Sequence, residues 1–155
     1  MHFSIMPALP PDAAALAALH AQALPPGWPA ADFAASCANA NRIVLKAEEG
    51  GGLLGFAMVQ FAADEAEILS IAVAKEAQLR GIGSAILAAC IAECEQKTIA
   101  HIYLDVAEGN AAALRLYGKF GFGALARRPN YYQAGRSAPE TALIMRLETK
   151  WANRP

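Results

Sequence analysis

The feature that most constrains this chain is a short glycine-containing loop between an apolar strand and an amphipathic helix. The loop covers residues 78–84, with the sequence QLRGIGS. It follows the predicted strand 67–74 and opens the predicted helix 84–97, whose apolar residues recur at intervals of three and four. Backbone N–H groups in the first turn of a helix lack intrahelical partners, and glycine lets an anion approach them closely. The loop therefore predicts a site for phosphate groups.

Two other phosphate-binding motifs do not fit this loop. A P-loop requires Lys followed by Ser or Thr after its last glycine, whereas Ser84 and Ala85 stand there. A dinucleotide-binding fingerprint requires a third glycine or alanine where Ile86 stands, in a loop that follows the first strand. Taken alone, the two glycines also fit a tight strand-to-helix turn that binds no ligand.

The remaining pattern predicts an α/β fold, a mixed sheet of about seven strands with helices on both faces. Strands are expected near 3–6, 43–47, 53–62, 67–74, 102–106, 122–127 and 141–147, and helices near 12–23, 32–38, 84–97 and 110–120. The fourth strand shows little alternation, so we expect both of its faces to be covered. Residues 128–140 are expected to form a loop. Since no repeat or linker divides the sequence, residues 1–155 are expected to form one domain.

Composition excludes several classes of function. The 155 residues carry a formal net charge of −1, which argues against a general nucleic-acid-binding protein. The longest apolar stretch, residues 53–63, is too short to cross a membrane, which takes about 18 residues. Residues 1–6 lack the basic and apolar segments of a secretion signal. A cytoplasmic protein that binds neither membranes nor nucleic acid is expected.

The three cysteines predict neither a disulfide framework nor a metal site. Cys90 and Cys94 lie four residues apart on a predicted helix, and Cys37 makes the number odd. None of the three histidines stands at ligand spacing from that pair. Packed, reduced thiols are expected.

The loop and its surroundings resemble the GCN5-related N-acetyltransferases, the GNAT family. Their acyl-CoA loop has the pattern Gln/Arg-x-x-Gly-x-Gly/Ala between a central strand and a helix, and residues 78–83 match every fixed position. The order of elements is also similar, so the resemblance covers essentially the whole chain. It implies the GNAT fold, a mostly antiparallel sheet, and acetyl-CoA as co-substrate without a metal. The pyrophosphate is then expected on the backbone of Leu79, Arg80, Gly81, Ile82, Gly83 and Ser84, and the pantetheine and thioester along Ile71, Ala72 and Val73.

Four further segments narrow the resemblance to family members that acetylate the N-terminal alanine of ribosomal proteins. They are residues 66–73, 110–117, 127–132 and 142–145, of which 127–132 (RRPNYY) is the most specific. The implied reaction is direct transfer of an acetyl group to a peptide α-amino group. The expected partner is therefore the N-terminus of a ribosomal protein, or another amine.

Two residues are implied to take part in the chemistry. Asp105 occupies the place of a family glutamate base. Because it is shorter and has a lower reference pKa, we expect it to hold a water or orient the amine. Its alternative is a carboxylate that pairs at a strand end. Tyr117, in the pattern Asn-x-x-Ala-x-x-Leu-Tyr, is implied to protonate the departing thiolate, with a backbone N–H near Val73 stabilising the oxyanion. From spacing alone, Tyr117 is interpreted as a core aromatic.

Other residues are implied to contact the two substrates. Asn110 is expected to touch the pantetheine arm, or to cap its helix. Tyr131 and Tyr132, in the expected loop, are implied to bind the acceptor, although loop aromatics also pack on cores. Trp28 and Phe33 are implied to form the opposite lip. The acidic residues near the hairpin turns are interpreted as a solvated face that favours a basic peptide if some of them reach the groove. These residues are Glu48, Glu49, Asp64, Glu65 and Glu67.

Two alternative functions stay open. The first is a GNAT enzyme that acetylates a small-molecule amine. The second is a catalytically silent acyl-CoA-binding module, which Asp105 in place of glutamate favours.

Overall fold

The computed structural model describes residues 2–132 and 140–153 of the chain. Short 3-10 turns at Pro10–Asp12 and Lys75–Ala77 accompany the regular elements. The strands are β1 (Ser4–Pro7), β2 (Arg42–Glu49), β3 (Gly52–Ala62), β4 (Glu65–Val73), β5 (His101–Ala107), β6 (Gly123–Tyr132) and β7 (Glu140–Glu148). The helices are α1 (Ala13–Ala23), α2 (Ala30–Ala38), α3 (Ile82–Gln96) and α4 (Ala111–Lys119). The predicted order of strands and helices is confirmed.

The seven strands form one sheet in the order β1-β2-β3-β4-β5-β7-β6. Every neighbouring pair is antiparallel except β4 and β5. Consecutive residues of β3 show that helices cover both faces. The Phe56 ring packs edge-on against Phe33 of α2 at 5.4 Å, whereas a Cβ on Gly55 would lie 3.0 Å from the Ile86 side chain of α3. The mixed, mostly antiparallel sheet between helices agrees with the prediction.

The parallel pair β4–β5 opens at its carboxyl end. Pairing joins Glu65–Ile68 to His101–Leu104. Beyond those residues, β4 stays paired with β3 and β5 stays paired with β7. No further pairing links β4 to β5 in the described part of the chain. A bulge at Leu69 shifts the register just where the strands part, as Val59 pairs with Ile68 and Met58 with Ser70. We call this gap the β4–β5 opening, and the carboxyl ends of parallel strands commonly bind ligands.

Two local expectations were wrong. Burial alternates along β4, because Leu69, Ile71 and Val73 border the opening and stay partly exposed. The expected loop 128–140 begins later than predicted, since β6 continues to Tyr132, which pairs with Glu140. Asn130, with a positive φ of 58°, lies where the register between β6 and β7 is irregular, and the strand continues past this irregularity. Residues 133–139 of that loop lie outside the described residues.

The core lies between the sheet and its two helix layers. Cys90 and Cys94 are fully buried free thiols on α3, as predicted, and burial raises the pKa of Cys94 to about 12. Cys37 is a partly exposed free thiol. Among the described residues, no helix is long and apolar enough to span a membrane. The largest fully buried side chains include Leu16, Phe33, Phe56, Met58, Ile86, Leu87, Ile102 and Leu104.

Candidate active site

The amino end of α3 presents unpaired backbone N–H groups beside the β4–β5 opening. The first helical hydrogen bond runs from the Ala85 N–H to the Gly81 carbonyl at 3.0 Å. The N–H groups of Ile82, Gly83 and Ser84 therefore precede the hydrogen-bonded part of this 15-residue helix. Gly81 caps the helix at φ +80°, a left-handed conformation that favours glycine. This cradle fits the phosphates of a coenzyme.

The two residues before the cap contribute backbone more than side chain. Leu79 has a φ of 65° and a fully exposed side chain. The Arg80 guanidinium turns towards β2, where its Nη2 donates to both carboxylate oxygens of Glu49 at 3.1 and 3.0 Å. The ion pair therefore ties the loop to the sheet. Among the described residues, the buried Nε of Arg80 has no hydrogen-bond partner.

The end of β4, the start of α3 and the middle of α4 meet at one point. A Cβ on Gly83 would lie 3.7 Å from Val73 and 3.6 Å from Leu116. Ile71 and Val73 are partly exposed along the opening, and Ala72 is buried. The structure therefore brings together the cofactor residues that were predicted from two separate segments.

Helix α4 carries two further predicted site residues, Asn110 and Tyr117. Its cap is Asn110, whose Oδ1 accepts a hydrogen bond from the Ala113 N–H at 3.1 Å. The capping alternative for Asn110 is thus present. Tyr117 is 6% exposed, its ring lies 5.8 Å from that of Phe122, and its neighbour Leu116 faces Gly83. Tyr117 is therefore packed in the core, one residue from the contact between α4 and the start of α3.

Asp105 shares its side of the opening with a second carboxylate. Glu67 is paired with Tyr103 in the parallel register, and Asp105 lies two residues beyond Tyr103 on the same face of β5. Partial burial raises the pKa of Glu67, and the negative charge of Asp105 raises it further, whereas Arg128 opposes the shift. The sequence interpretation had placed Glu67 in a solvated acidic face. Its approach to Asp105 depends on the register of two strands distant in sequence, which no local pattern encodes.

Three other members of the acidic cluster, Glu48, Glu49 and Glu65, have specific partners. Lys46 donates to Glu48 at 2.9 Å and to Asp12 at 3.1 Å, and the Tyr103 hydroxyl donates to Glu65 at 3.1 Å. Glu49 binds Arg80, as described above. The cluster is therefore partly structural, and Glu67 is the member that borders the opening.

A groove of about 430 Å³ runs between α2 and the sheet. It reaches the opening at Leu69, the bulge residue of β4. Arg42 lies in it and donates to Ser36 and to Gln60, both at 2.9 Å. We call it the α2 groove, and its lining includes Trp28, Asp32, Ser36, Arg42, Met58 and Leu69.

The predicted acceptor aromatics are placed on two separate elements. Trp28 lies in the connection between α1 and α2 and is 36% exposed. Tyr131, at the end of β6, is about half exposed, and the Arg128 guanidinium lies 5.3 Å from its ring centre. Tyr132 is the last residue of β6. The described residues contain no group of three His, Cys, Asp or Glu side chains able to hold a metal ion.

Comparisons with known proteins agree on one family. A model described as the acetyltransferase (GNAT) family matches residues 13–122. A protein of Escherichia coli K12 named [ribosomal protein bS18]-alanine N-acetyltransferase is 38% identical over 99 residues, which cover 64% of this chain and 66%, just under two thirds, of that protein. The crystal structure of the E. coli ribosomal-protein-S18-alanine N-acetyltransferase superposes with a TM-score of 0.88 at 31% identity, covering 95% of this chain and 94% of that one. A ribosomal-protein-alanine N-acetyltransferase from Brucella melitensis superposes with a TM-score of 0.83 at 26% identity, covering 94% and 99%.

Proposed function

Because this chain belongs to the GNAT family of acetyltransferases, we propose that it transfers the acetyl group of acetyl-CoA directly to a peptide α-amino group. The proposed acceptor is the N-terminal alanine of a ribosomal protein, as in the names of its relatives. The observation that carries the proposal is the backbone cradle at the amino end of α3, placed beside the β4–β5 opening. A ribosomal acceptor would locate the reaction in the cytoplasm, with residues 1–155 acting as one catalytic domain.

In this proposal, acetyl-CoA binds mainly to backbone. The N–H groups of residues 79–84 hold the pyrophosphate at the positive end of the helix dipole. At Ile71, Ala72 and Val73, β4 is no longer paired with β5. The backbone N–H and C=O groups on that edge of β4 are therefore available to the pantetheine amides. An N–H near Val73 stabilises the oxyanion that forms on the thioester carbonyl.

The acceptor amine is oriented by the pair of carboxylates, Asp105 and Glu67. An α-amino group has a reference pKa of about 7.7–8.0, against about 10.4 for lysine, so a weak base suffices for a peptide N-terminus. Its raised pKa suits Glu67 to accept a proton from the amine. Asp105, half-buried at the opening, holds the amine or a bridging water.

The proposed reaction needs one base, the carboxylate pair, and one acid, Tyr117. The amine nitrogen bonds to the thioester carbonyl carbon, the carbon–sulfur bond breaks, and the ammonium proton passes to the carboxylate pair. Tyr117 donates a proton to the departing thiolate. The Asn110 cap fixes the residue at which α4 begins, and it thereby helps to fix the position of Tyr117 in that helix.

In this proposal the acceptor peptide lies along the α2 groove against Trp28, and Tyr131 and Tyr132 at the end of β6 supply further contacts. Glu67 and Asp105 at the opening and Asp32 in the groove favour a peptide whose first residues are basic.

A panel of acceptors tests this function. The purified chain is incubated with acetyl-CoA and an alanine-starting basic peptide, the same peptide blocked at its N-terminus, a polyamine and free amino acids. Release of CoA and the mass of each product are measured. We expect acetylation of the unblocked peptide at its α-amino group. Turnover of small amines alone would support the small-molecule alternative, and calorimetric binding of acetyl-CoA without any product would support the silent module.

A further inference from the structure

A buried histidine lies directly behind the aromatic lip of the α2 groove. His20 of α1 is 4% exposed. Its ring packs against those of Trp28 at 4.5 Å, Phe33 at 5.5 Å and Phe56 at 5.9 Å. Its Nδ1 accepts a hydrogen bond from the backbone N–H of Trp28 at 2.9 Å. His20 therefore contacts both the side chain and the backbone of a groove residue.

The connection between α1 and α2 folds back tightly on the last turn of α1. The Leu24 N–H donates to the His20 carbonyl at 2.8 Å, and the Gly27 N–H donates to the Leu24 carbonyl at 3.0 Å. Gly27 has a φ of 81°, and a Cβ there would lie 2.8 Å from Cα of Ala21. Glycine alone fits this close approach. Trp28, the next residue, therefore emerges at a position set by α1 and by the Nδ1 acceptor of His20.

The contact requires a neutral imidazole, because a protonated Nδ1 is a donor and cannot accept the Trp28 N–H. Burial lowers the pKa of His20. Charged and titratable groups are few on the elements around the ring. β3 and the connection 24–29 carry none, α2 carries Asp32 and Cys37, and β4 carries Glu65 and Glu67 at its amino end. None of these is a cause of the shift.

We propose that His20 is a positioning residue for the acceptor: it holds Trp28 as a wall of the α2 groove and releases it when the imidazole is protonated. The inference rests on the proposed function, in which the acceptor lies in that groove. Beyond that function, it assigns a role to a residue that touches neither substrate, and it predicts a pH dependence of acceptor binding alone. Since Trp28 lines the groove and not the α3 cradle, acetyl-CoA binding is unaffected.

Kinetics of three variants test the positioning role. His20→Phe keeps a ring but loses the acceptor atom, and His20→Asn keeps an acceptor close to the Nδ1 position but loses the ring. Trp28→Ala removes the wall itself. We expect His20→Phe to raise the acceptor KM by roughly tenfold with the acetyl-CoA KM unchanged, and His20→Asn to raise it less. In the double variant His20→Phe/Trp28→Ala, the acceptor KM should match that of Trp28→Ala alone, because both changes act through one element.

Fluorescence tests the same contact without any acceptor. The chain has two tryptophans, and Trp151→Phe leaves Trp28 as the single reporter. Between pH 8 and pH 5, we expect emission and acrylamide quenching of Trp28 to change with a midpoint below about 6.5, the ordinary value for histidine. The transition should be absent in the His20→Phe background, and far-UV circular dichroism should stay constant. Protonation of the acceptor amine raises the apparent KM in every variant over this interval, so the test is the difference: the acceptor KM of the parent chain should rise more than that of His20→Phe.

The outcomes separate this inference from the proposed function. If Trp28→Ala raises the acceptor KM and His20→Phe does not, the function stands and the inference is overturned. A Trp28 signal that does not change with pH also overturns it. If no amine is acetylated, the proposed function fails and the acceptor role of His20 with it, while the fluorescence series still decides whether His20 holds Trp28. Should His20→Phe fail to fold, His20→Asn and the pH titration of the parent chain decide.

Discussion

In the proposed reaction, the two substrates would bind regions that are built in different ways. The cradle at the amino end of α3 consists of backbone N–H groups and a glycine with a left-handed φ, and six consecutive residues form it. The acceptor side consists of side chains from distant elements, including Trp28, Glu67 and Asp105. Substitutions on the acceptor side should therefore change turnover and acceptor binding, whereas the cradle should respond mainly to changes in backbone conformation.

The carboxylate pair should give the largest effect. We expect the double variant Glu67→Gln/Asp105→Asn to lower kcat by about 10²–10⁴-fold, the range of general acid–base catalysis, with acetyl-CoA affinity unchanged. Each single variant should lose less, since the other carboxylate remains. Steady-state kinetics with the peptide acceptor measure this. Glu65→Gln is the matched control, because that carboxylate accepts a hydrogen bond from Tyr103 farther from the opening.

The same pair predicts a pH dependence of kcat/KM. The pKa of Glu67 is raised above its ordinary value, mainly by partial burial and then by Asp105. The charged form is the active base, so activity falls as the pH drops through this raised pKa. Glu67→Gln should remove that acidic limb. An unchanged acidic limb in Glu67→Gln would show that Asp105 alone acts as base.

Tyr117 should give the next largest effect. Tyr117→Phe removes one hydroxyl and keeps the packing against Phe122, so turnover should fall by about tenfold or more with little change in acetyl-CoA affinity. A thiolate whose thiol is more acidic leaves without needing a proton. An acetyl thioester of such a thiol should therefore restore part of the rate of Tyr117→Phe. Equal turnover of the variant and the parent chain would leave Tyr117 as a core residue.

On the cradle side, Gly81→Ala should have a smaller effect. The φ of +80° costs a residue with a Cβ about 1–2 kcal/mol, although a Cβ there would meet no neighbouring atom. We expect the Kd for acetyl-CoA to rise about tenfold, since 1.4 kcal/mol is a factor of ten, with kcat nearly unchanged at saturation. Calorimetry measures this. Gly123→Ala is the control, because its Cβ also meets open space and its φ lies outside the left-handed region.

The same contrast explains how much the sequence could predict. The spacing of Gly81 and Gly83 and the apolar period of α3 are local, so the cradle and the order of elements were predictable. The approach of Glu67 to Asp105 and of His20 to Trp28 depends on strand register and on how a connection folds back, which local patterns do not encode. The sequence predicts a loop from residue 128, but pairing with β7 extends β6 to Tyr132. That pairing joins two segments of the chain, so no local pattern encodes it.

The smallest effect should come from the ion pair that ties the cradle to the sheet. Glu49→Gln removes the partner of Arg80, and because both side chains are partly exposed, the pair contributes only about 0.2–1 kcal/mol. If Arg80 acts only through that pair, the Kd for acetyl-CoA should rise at most about fivefold, and less at high salt, where such pairs are screened. If the freed guanidinium instead turns to the phosphates, Glu49→Gln should bind acetyl-CoA more tightly. Tighter binding would make the cradle a mixed site of backbone and charge, and weaker binding would confirm that its anion affinity comes from backbone N–H groups.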